Sequence, residues 1–312
     1  MARRLIAVVG QTATGKSEAA VAVAEAVSGE VIGADAYQVY RGLDIGTAKP
    51  SAELRARVPH HLIDCLDPTE ELTLARYLDL AAEALEAVWG RGRVPVLCGG
   101  SGQYVWALIE GWQVPRVAPD ERLRAELDAF AAERGPEAVH ARLREADAVA
   151  AARIDYRNVR RVVRALEVIE REGRPLSACQ TRLPIDADVF VLGLRCPRQE
   201  LYARIDARVE AMYAAGLLDE VAALRERGWG DARAVRSGIG YKEVSAYLDG
   251  ASVLPEAVER TKTATHRLAR NQGAWFKATD ERIRWVEAGI DAPAACAALA
   301  SAWLARHSER SE

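Results

Sequence analysis

Short apolar runs alternate along the chain with amphipathic stretches, and the alternation predicts an architecture. Leu5 to Val9 is a continuous apolar run that ends in a glycine-rich turn. Lys16 to Val27 then takes helical spacing, so the order reads strand, loop, helix. Val31 to Ala34 is a second run, ending at Asp35, and Val94 to Cys98 a third, ending at Gly99 and Gly100, with helical periodicity over Thr73 to Val88 between them. Strands that alternate with helices predict an α/β fold with a parallel, doubly wound sheet. Ligands in such sheets sit beyond the carboxyl ends of the strands. Here those ends carry Gly10, Asp35 and Gly99, which predicts one pocket built from all three.

After Trp112 the texture changes, and from Pro119 to about Arg174 only charged helical patterns occur. Strand character returns at Val189 to Leu194, followed by a long helix with apolar Leu201, Ile205, Val209 and Met212, and another helix from about Glu256 to Lys277. The expected division is a core in two parts, 1–113 and 187–312, interrupted by an all-helical insertion, 114–186. The polar end, His307 to Glu312, is expected to fray.

Composition narrows the class. The 312 residues are half apolar and 28% charged, enough for a full core and one further lobe, which excludes disorder, collagen and coiled coil as global readings. No apolar run approaches the roughly 20 residues of a membrane span, and Arg3 and Arg4 lead directly into the first strand, so the expected setting is cytoplasmic with no membrane partner. Five scattered cysteines without a Cys-x-x-Cys pair fit reduced thiols better than disulfides or zinc. A net charge of -3 argues against indiscriminate nucleic-acid binding but leaves local basic faces open.

The most specific motif is Gly10-Gln11-Thr12-Ala13-Thr14-Gly15-Lys16-Ser17, which fits G-x-x-x-x-G-K-[ST] with a strand before it and a helix after it. Glycines let backbone amides turn around phosphate oxygens, the helix amino end adds positive potential, Lys16 supplies a point charge and Ser17 can ligate Mg2+. Whether the loop holds a nucleotide or another diphosphate stays open. Asp35 beside such a loop is placed to take a proton from a nucleophile or to hold Mg2+, although alone it reads as a turn residue. Gly99-Gly100-Ser101-Gly102 allows close backbone approach to a ligand, with the Ser101 hydroxyl as donor. His60 and His61 point to opposite faces of an extended segment and read as structural.

The insertion carries the clearest polar pattern. Arg157, Arg160, Arg161, Arg164 and Arg171 fall on one helical face, opposite Val159, Val162, Val163, Leu166 and Ile169. Between Arg153 and Arg182 eight arginines face four acidic residues, a stripe suited to a phosphate backbone. His266, Arg267, Arg270 and Lys277 repeat the theme, and the two helices are candidates to flank a nucleic-acid groove. Arg204 and Arg208, four apart, each either cover core surface or clamp a departing diphosphate.

Together these segments resemble the tRNA dimethylallyltransferase family, the isopentenyltransferases that prenylate an adenosine beside the anticodon. The resemblance runs in order through the phosphate loop, Asp35 to Pro50, Pro59 to Asp64, Gly99 to Tyr104, Arg164 to Val168, Arg208 to Val221, Gly240 to Glu243 and Ala264 to Trp275. It implies a P-loop NTPase-like sheet flanked by helices and a monomeric enzyme. It also implies transfer of a dimethylallyl group from dimethylallyl diphosphate to N6 of the adenosine 3' of the anticodon, with Mg2+. By the same resemblance Asp35 is the general base, Ser101 its hydroxyl partner, and Lys16, Ser17 and Arg208 form the diphosphate and metal side. Implied contacts to the tRNA anticodon loop are Asp35, Ala36, Tyr37, Gln38, Ser101, Arg160, Arg161, Val162, Val163, Arg164, Ser237, Gly238, Ile239, Gly240, Tyr241 and Lys242. The family loop is usually catalogued as nucleotide-binding, yet the resemblance implies a prenyl diphosphate there. Ala36 stands where the family often has Ser, Ser101 where it usually has Thr, and Asn271 and Gly273 interrupt its usual Lys-Arg-Gln-x-Thr-Trp pattern. Three other readings compete: a small-molecule P-loop kinase using ATP, an isopentenyltransferase acting on free adenine nucleotides, and a nucleotide-switched binding protein.

Overall fold

The computed structural model describes residues 3–308. Alternating apolar segments form a six-stranded, all-parallel sheet in the order β3-β2-β4-β1-β5-β6. The strands are β1 (Arg4–Gly10), β2 (Gly29–Gly33), β3 (His60–His61), β4 (Val94–Gly99), β5 (Asp188–Arg195) and β6 (Ile283–Glu287). The helices of the first half are α1 (Lys16–Ala26), α2 (Ala52–Arg57), α3 (Leu74–Gly90) and α4 (Gly102–Ile109). After β5 come α10 (Arg198–Ala214), α11 (Leu217–Glu226), α12 (Arg233–Ser237), α13 (Tyr241–Leu248) and α14 (Leu254–Trp275), and after β6 comes α15 (Ala292–Ser308). Between the halves lie only helices: α5 (Glu121–Arg134), α6 (Pro136–Ala146), α7 (Ala148–Arg153), α8 (Val159–Glu172) and α9 (Leu176–Cys179).

Two compact units result, one from the stretch ending at Ile109 joined to the stretch beginning at Asp186, the other Glu110–Ile185. In the first, Ile6 and Val8 of β1, Val96 of β4 and Leu192 and Leu194 of β5 pack against Ala19, Ala20, Val23 and Ala24 of α1 and Cys296, Ala300 and Trp303 of α15. Small alanines on both helices let them approach closely and pack densely against the sheet. The second unit has its own core of Leu127, Val139, Leu143, Ala150, Ile154, Val162 and Val163.

The parallel sheet and the helical interruption match the periodicity of the sequence. Three details differ. β3 is a two-residue pairing with β2 and β6 an edge strand of mixed burial, and neither carries the continuous apolar run of a central strand. Met212 stays half-exposed while Leu201, Ile205 and Val209 are buried. His307, expected to fray, is helical within α15, and 309–312 lie outside the described residues. His60 Nδ1 bonds the Val58 carbonyl and His61 Nε2 the Glu30 carboxylate, so both histidines are tied into the structure. All five cysteines are free. Among the described residues no helix is long and apolar enough to cross a membrane.

Candidate active site

β2, β4 and β1 are neighbours, so their carboxyl ends bring Asp35, Ser101 and the Gly10 loop to one edge of the sheet. The approach is close. A Cβ on Gly99 would lie 2.0 Å from the Ala34 carbonyl oxygen, and the Ser101 amide donates to that carbonyl at 3.3 Å. Only glycine lets β4 leave the sheet this near the start of the Asp35 segment.

The phosphate loop folds over its own backbone. Ala13 and Gly15 take left-handed φ values of 64° and 84°, and the Thr14 hydroxyl and the Lys16 ammonium both donate to the Gln11 carbonyl, at 2.8 and 2.7 Å. Burial pushes Lys16 down to about 8, with the Cys98, Asp35 and Glu18 side chains opposing and the Arg208 charge adding to the fall. Arg208 leaves α10 to donate to the Thr12 hydroxyl, and its buried Nε has no partner among the described residues. Burial lowers its pKa while Asp35 opposes, so Asp35 lies within the field of both cations. Arg204 does not share this place: it pairs with Glu200 and the Ala288 carbonyl. Of the two arginines, Arg208 is the one that reaches the phosphate loop.

Asp35 is held by its own turn. Its Oδ1 accepts the Tyr37 amide at 2.8 Å and the Gln38 amide at 3.2 Å, which leaves Oδ2 for a ligand. Tyr104, one turn past Ser101, stacks on Tyr77 with centroids 4.2 Å apart, and Tyr77 donates to the Gly33 carbonyl. Two buried rings therefore brace the end of β2. A cavity of about 430 Å³ opens beside Arg208, lined also by Asp44, Lys49 and Met212.

The Ser17 hydroxyl bonds no protein group among the described residues. No cluster of three or more His, Cys, Asp or Glu side chains suited to a metal occurs among them either. In phosphate loops of this motif the Ser or Thr hydroxyl shares Mg2+ with the ligand phosphates, so the donor set fits that ion bound together with a diphosphate.

Loop 35–50 is fixed from within and from α11. Lys49, with a side chain 3% exposed, pairs with Asp44 and Asp64, and Gln38 donates to the Thr47 and Ala48 carbonyls. The Glu220 carboxylate accepts the amides of Asp44, Ile45 and Gly46 and the Tyr241 hydroxyl. Tyr241 is thus a core residue, fully buried, with burial pushing its hydroxyl pKa far up. As a side-chain contact to RNA it is corrected: it buttresses the loop from below. Gly238 and Gly240 are buried and Ile239 half-buried, while Ser237 and Lys242 are exposed. Ser237 Oγ lies 3.2 Å from the Tyr37 hydroxyl, which joins that surface to the Asp35 segment. Glu220 and Lys49 lie in stretches that resemble the family, but nothing in the residue pattern marks the long-range contacts that they make.

In the insertion the arginine stripe separates into two kinds. Arg160 and Arg161 are exposed. Arg157 precedes α8 and pairs with Asp155, Arg171 pairs with Asp120, and Arg164 pairs with Glu167, a carboxylate with 0% exposure that also holds Arg124. Val162 and Val163 are 1% and 4% exposed, so their side chains belong to the unit's core and cannot face RNA. Burial alone would raise the Glu167 carboxyl, but the Asp120 amide and the two arginines outweigh it and hold it below the usual range. The stability this lends is present above the unfolded value near 4.5 and is lost as pH falls through the lower folded value. Glu167→Ala is expected to cost about 3 kcal/mol, the low end for a broken buried pair because both arginines reach water, read as earlier urea unfolding of this unit. On α14, His266 stacks on Tyr202 and Arg270 donates to the Tyr202 hydroxyl, so part of that predicted basic side serves the contact with α10.

Known proteins resemble this chain in sequence and in fold. Residues 38–279 match the family model described as IPP transferase, and residues 3–63 match one described as isopentenyl transferase. A tRNA dimethylallyltransferase of Chloroflexus aurantiacus is 51% identical over 273 residues, covering 88% of this chain and 92% of the relative. That of Thermomicrobium roseum is 44% identical, covering 91% and 86%. Among solved structures, a tRNA isopentenylpyrophosphate transferase from Bacillus halodurans is similar with TM-score 0.71 and 39% identity, covering 99% of this chain and 98% of its own. A eukaryotic dimethylallyltransferase acting on tRNA is similar with TM-score 0.80 and 26% identity, covering 95% and 78%. On its matched length, its identity to these relatives and its shared fold, this chain belongs to the IPP transferase family.

Proposed function

We propose that the chain transfers a dimethylallyl group from dimethylallyl diphosphate to N6 of the adenosine 3' of the anticodon in tRNA, releasing diphosphate. The carrying observation is the convergence of the phosphate loop, Asp35, Ser101 and Arg208 at one sheet edge. An exocyclic amine conjugated with its ring is a weak nucleophile, so a carboxylate must remove its proton as attack proceeds; Asp35 Oδ2 takes that role, with the Ser101 hydroxyl as neighbouring donor. Cleavage of the carbon-oxygen bond leaves charge on the diphosphate, and the loop amides, Lys16 and Arg208 are in place to meet it. Mg2+, held by Ser17 and the diphosphate, would neutralise further charge. The exposed Ser237, Lys242, Arg160 and Arg161 are the side chains suited to the RNA backbone. A target base everted from its loop reaches a pocket of this kind more readily than one in a duplex.

Incubation of the protein with unmodified tRNA, Mg2+ and dimethylallyl diphosphate tests the reading by mass spectrometry: a five-carbon adduct on that adenosine supports it. Adduct on free AMP alone, or consumption of ATP without tRNA, would contradict it. The relatives' names favour tRNA as acceptor over the kinase alternative.

The depressed Lys16 gives a pH signature. Its charged form, which attracts the diphosphate, is present below about 8 and is lost above it. The kcat/KM for dimethylallyl diphosphate is therefore expected to fall as pH rises through that value. A bound diphosphate stabilises the ammonium, so kcat holds to higher pH, and calorimetry above that value in buffers of different ionisation enthalpy should show proton uptake on binding.

A further inference from the structure

The last turns of α14 touch both walls of the site, and one buried side chain there makes the link. Gln272 is 7% exposed, and its Oε1 accepts the Thr12 amide of the phosphate loop at 2.7 Å. Because a backbone amide can only donate, the carboxamide is oriented with Nε2 on the opposite side. That side faces the other wall: a Cβ on Gly100 would lie 2.3 Å from Nε2 and 3.2 Å from the Gly10 carbonyl oxygen.

The neighbours of Gln272 continue the pattern. Gln11 donates to the Ala269 carbonyl at 2.8 Å, and a Cβ on Gly273 would lie 3.2 Å from the Gln11 Nε2. The glycine that departs from the family pattern therefore leaves space for a glutamine in the phosphate loop. Trp106 of α4 donates to the Trp275 carbonyl, and a Cβ on Gly102 would lie 2.2 Å from the Trp275 Cβ. Within four residues α14 thus grips the phosphate loop on one side and the Ser101 turn on the other. Thr12 is pinned twice, by Gln272 on its amide and by Arg208 on its hydroxyl.

We propose that Gln272 is a positioning residue for the prenyl transfer, fixing the distance between the diphosphate cradle and Ser101 by bridging Thr12 and Gly100. The inference rests on the reaction proposed above. Its Oε1 occupies the Thr12 amide, so the amides from Ala13 onward and Lys16 receive the anion, and Gln272 itself touches no reacting atom. Reacting groups misplaced by about 1 Å lose on the order of a hundredfold in rate, so a side chain that sets spacing acts on kcat.

Two variants separate spacing from folding. Gln272→Met keeps length and burial but removes the bond to the Thr12 amide and the polar contact with Gly100, and is expected to lower kcat by at least about tenfold at saturating substrates. Gln272→Glu keeps an acceptor for the Thr12 amide but brings a negative charge to the cradle. It is expected to hold kcat within about threefold while raising KM for dimethylallyl diphosphate about tenfold. Melting temperature and tRNA affinity are measured on both. Unchanged kcat in Gln272→Met overturns the inference, as does equal loss of kcat in both variants with a lowered melting temperature, the result of a merely structural role. The wild-type protein in the same assay reports on the reaction itself. Normal wild-type turnover beside unaffected variants sinks the Gln272 role alone, whereas no wild-type product sinks that role together with the reaction.

Discussion

Asp35→Asn is expected to lower kcat by about a hundredfold to ten-thousandfold while leaving tRNA affinity within about twofold, the range typical for removal of a general base. The substitution is a clean probe because of how Asp35 is held. An asparagine carbonyl can still accept the Tyr37 and Gln38 amides that Oδ1 accepts now, so the turn survives and only the charge is lost. Single-turnover prenylation with saturating tRNA checks it, and near-normal turnover would remove Asp35 from the chemistry. The lost charge withdraws its support of the Lys16 and Arg208 charges but also removes its repulsion of the anion, and these oppose each other, so diphosphate binding should hold rather than collapse.

The second large effect belongs to Arg208. Arg208→Ala is expected to lower kcat/KM for dimethylallyl diphosphate by about a hundredfold to a thousandfold, the scale of losing one preorganised donor to developing charge. Its guanidinium is desolvated, braced on the Thr12 hydroxyl and left with a buried Nε that no group among the described residues satisfies. Such a charge is expensive to keep unless an anion uses it. Arg208→Lys should recover only part of the loss, since a point charge cannot hold Thr12 and a phosphate oxygen together. Arg204→Ala, on the same helix but paired with Glu200, should change the same ratio by less than about threefold, because an exposed helix pair is worth little. Steady-state kinetics in dimethylallyl diphosphate across the three variants measures both claims, and equal losses at both arginines would contradict the assignment.

Much of this site is legible before any coordinates because its parts are local. The phosphate loop is one contiguous motif between a strand and a helix, and Asp35 and Ser101 each follow a short apolar run that could only be a buried strand. What the residue pattern hides is long-range. The arginine stripe reads as one free face, since nothing in helical spacing shows that Glu167 lies buried beneath Arg164 and Arg124 or that Asp120 waits for Arg171. Tyr241, which the resemblance implies as a tRNA contact, is buried because its hydroxyl bonds Glu220, which sits 21 residues earlier on another helix. β3 and β6 escape because a two-residue pairing and an amphipathic edge strand lack the apolar run of a central strand. Gln272 escapes for a different reason: it matches the family pattern, but a neutral amide carries no charge that names a partner, and its role appears only when α14 folds back onto a loop 260 positions away.

The most direct test of the account is a crystal structure of the protein with an anticodon stem-loop RNA and the thiolodiphosphate analogue of dimethylallyl diphosphate, in which the bond to be broken is inert. The diphosphate should lie against the amides that follow Thr12, beside Lys16 and Arg208, with the exocyclic amine of the everted adenosine within hydrogen-bond reach of the Asp35 carboxylate. A diphosphate seated away from the loop, or an adenosine amine far from Asp35, would contradict it.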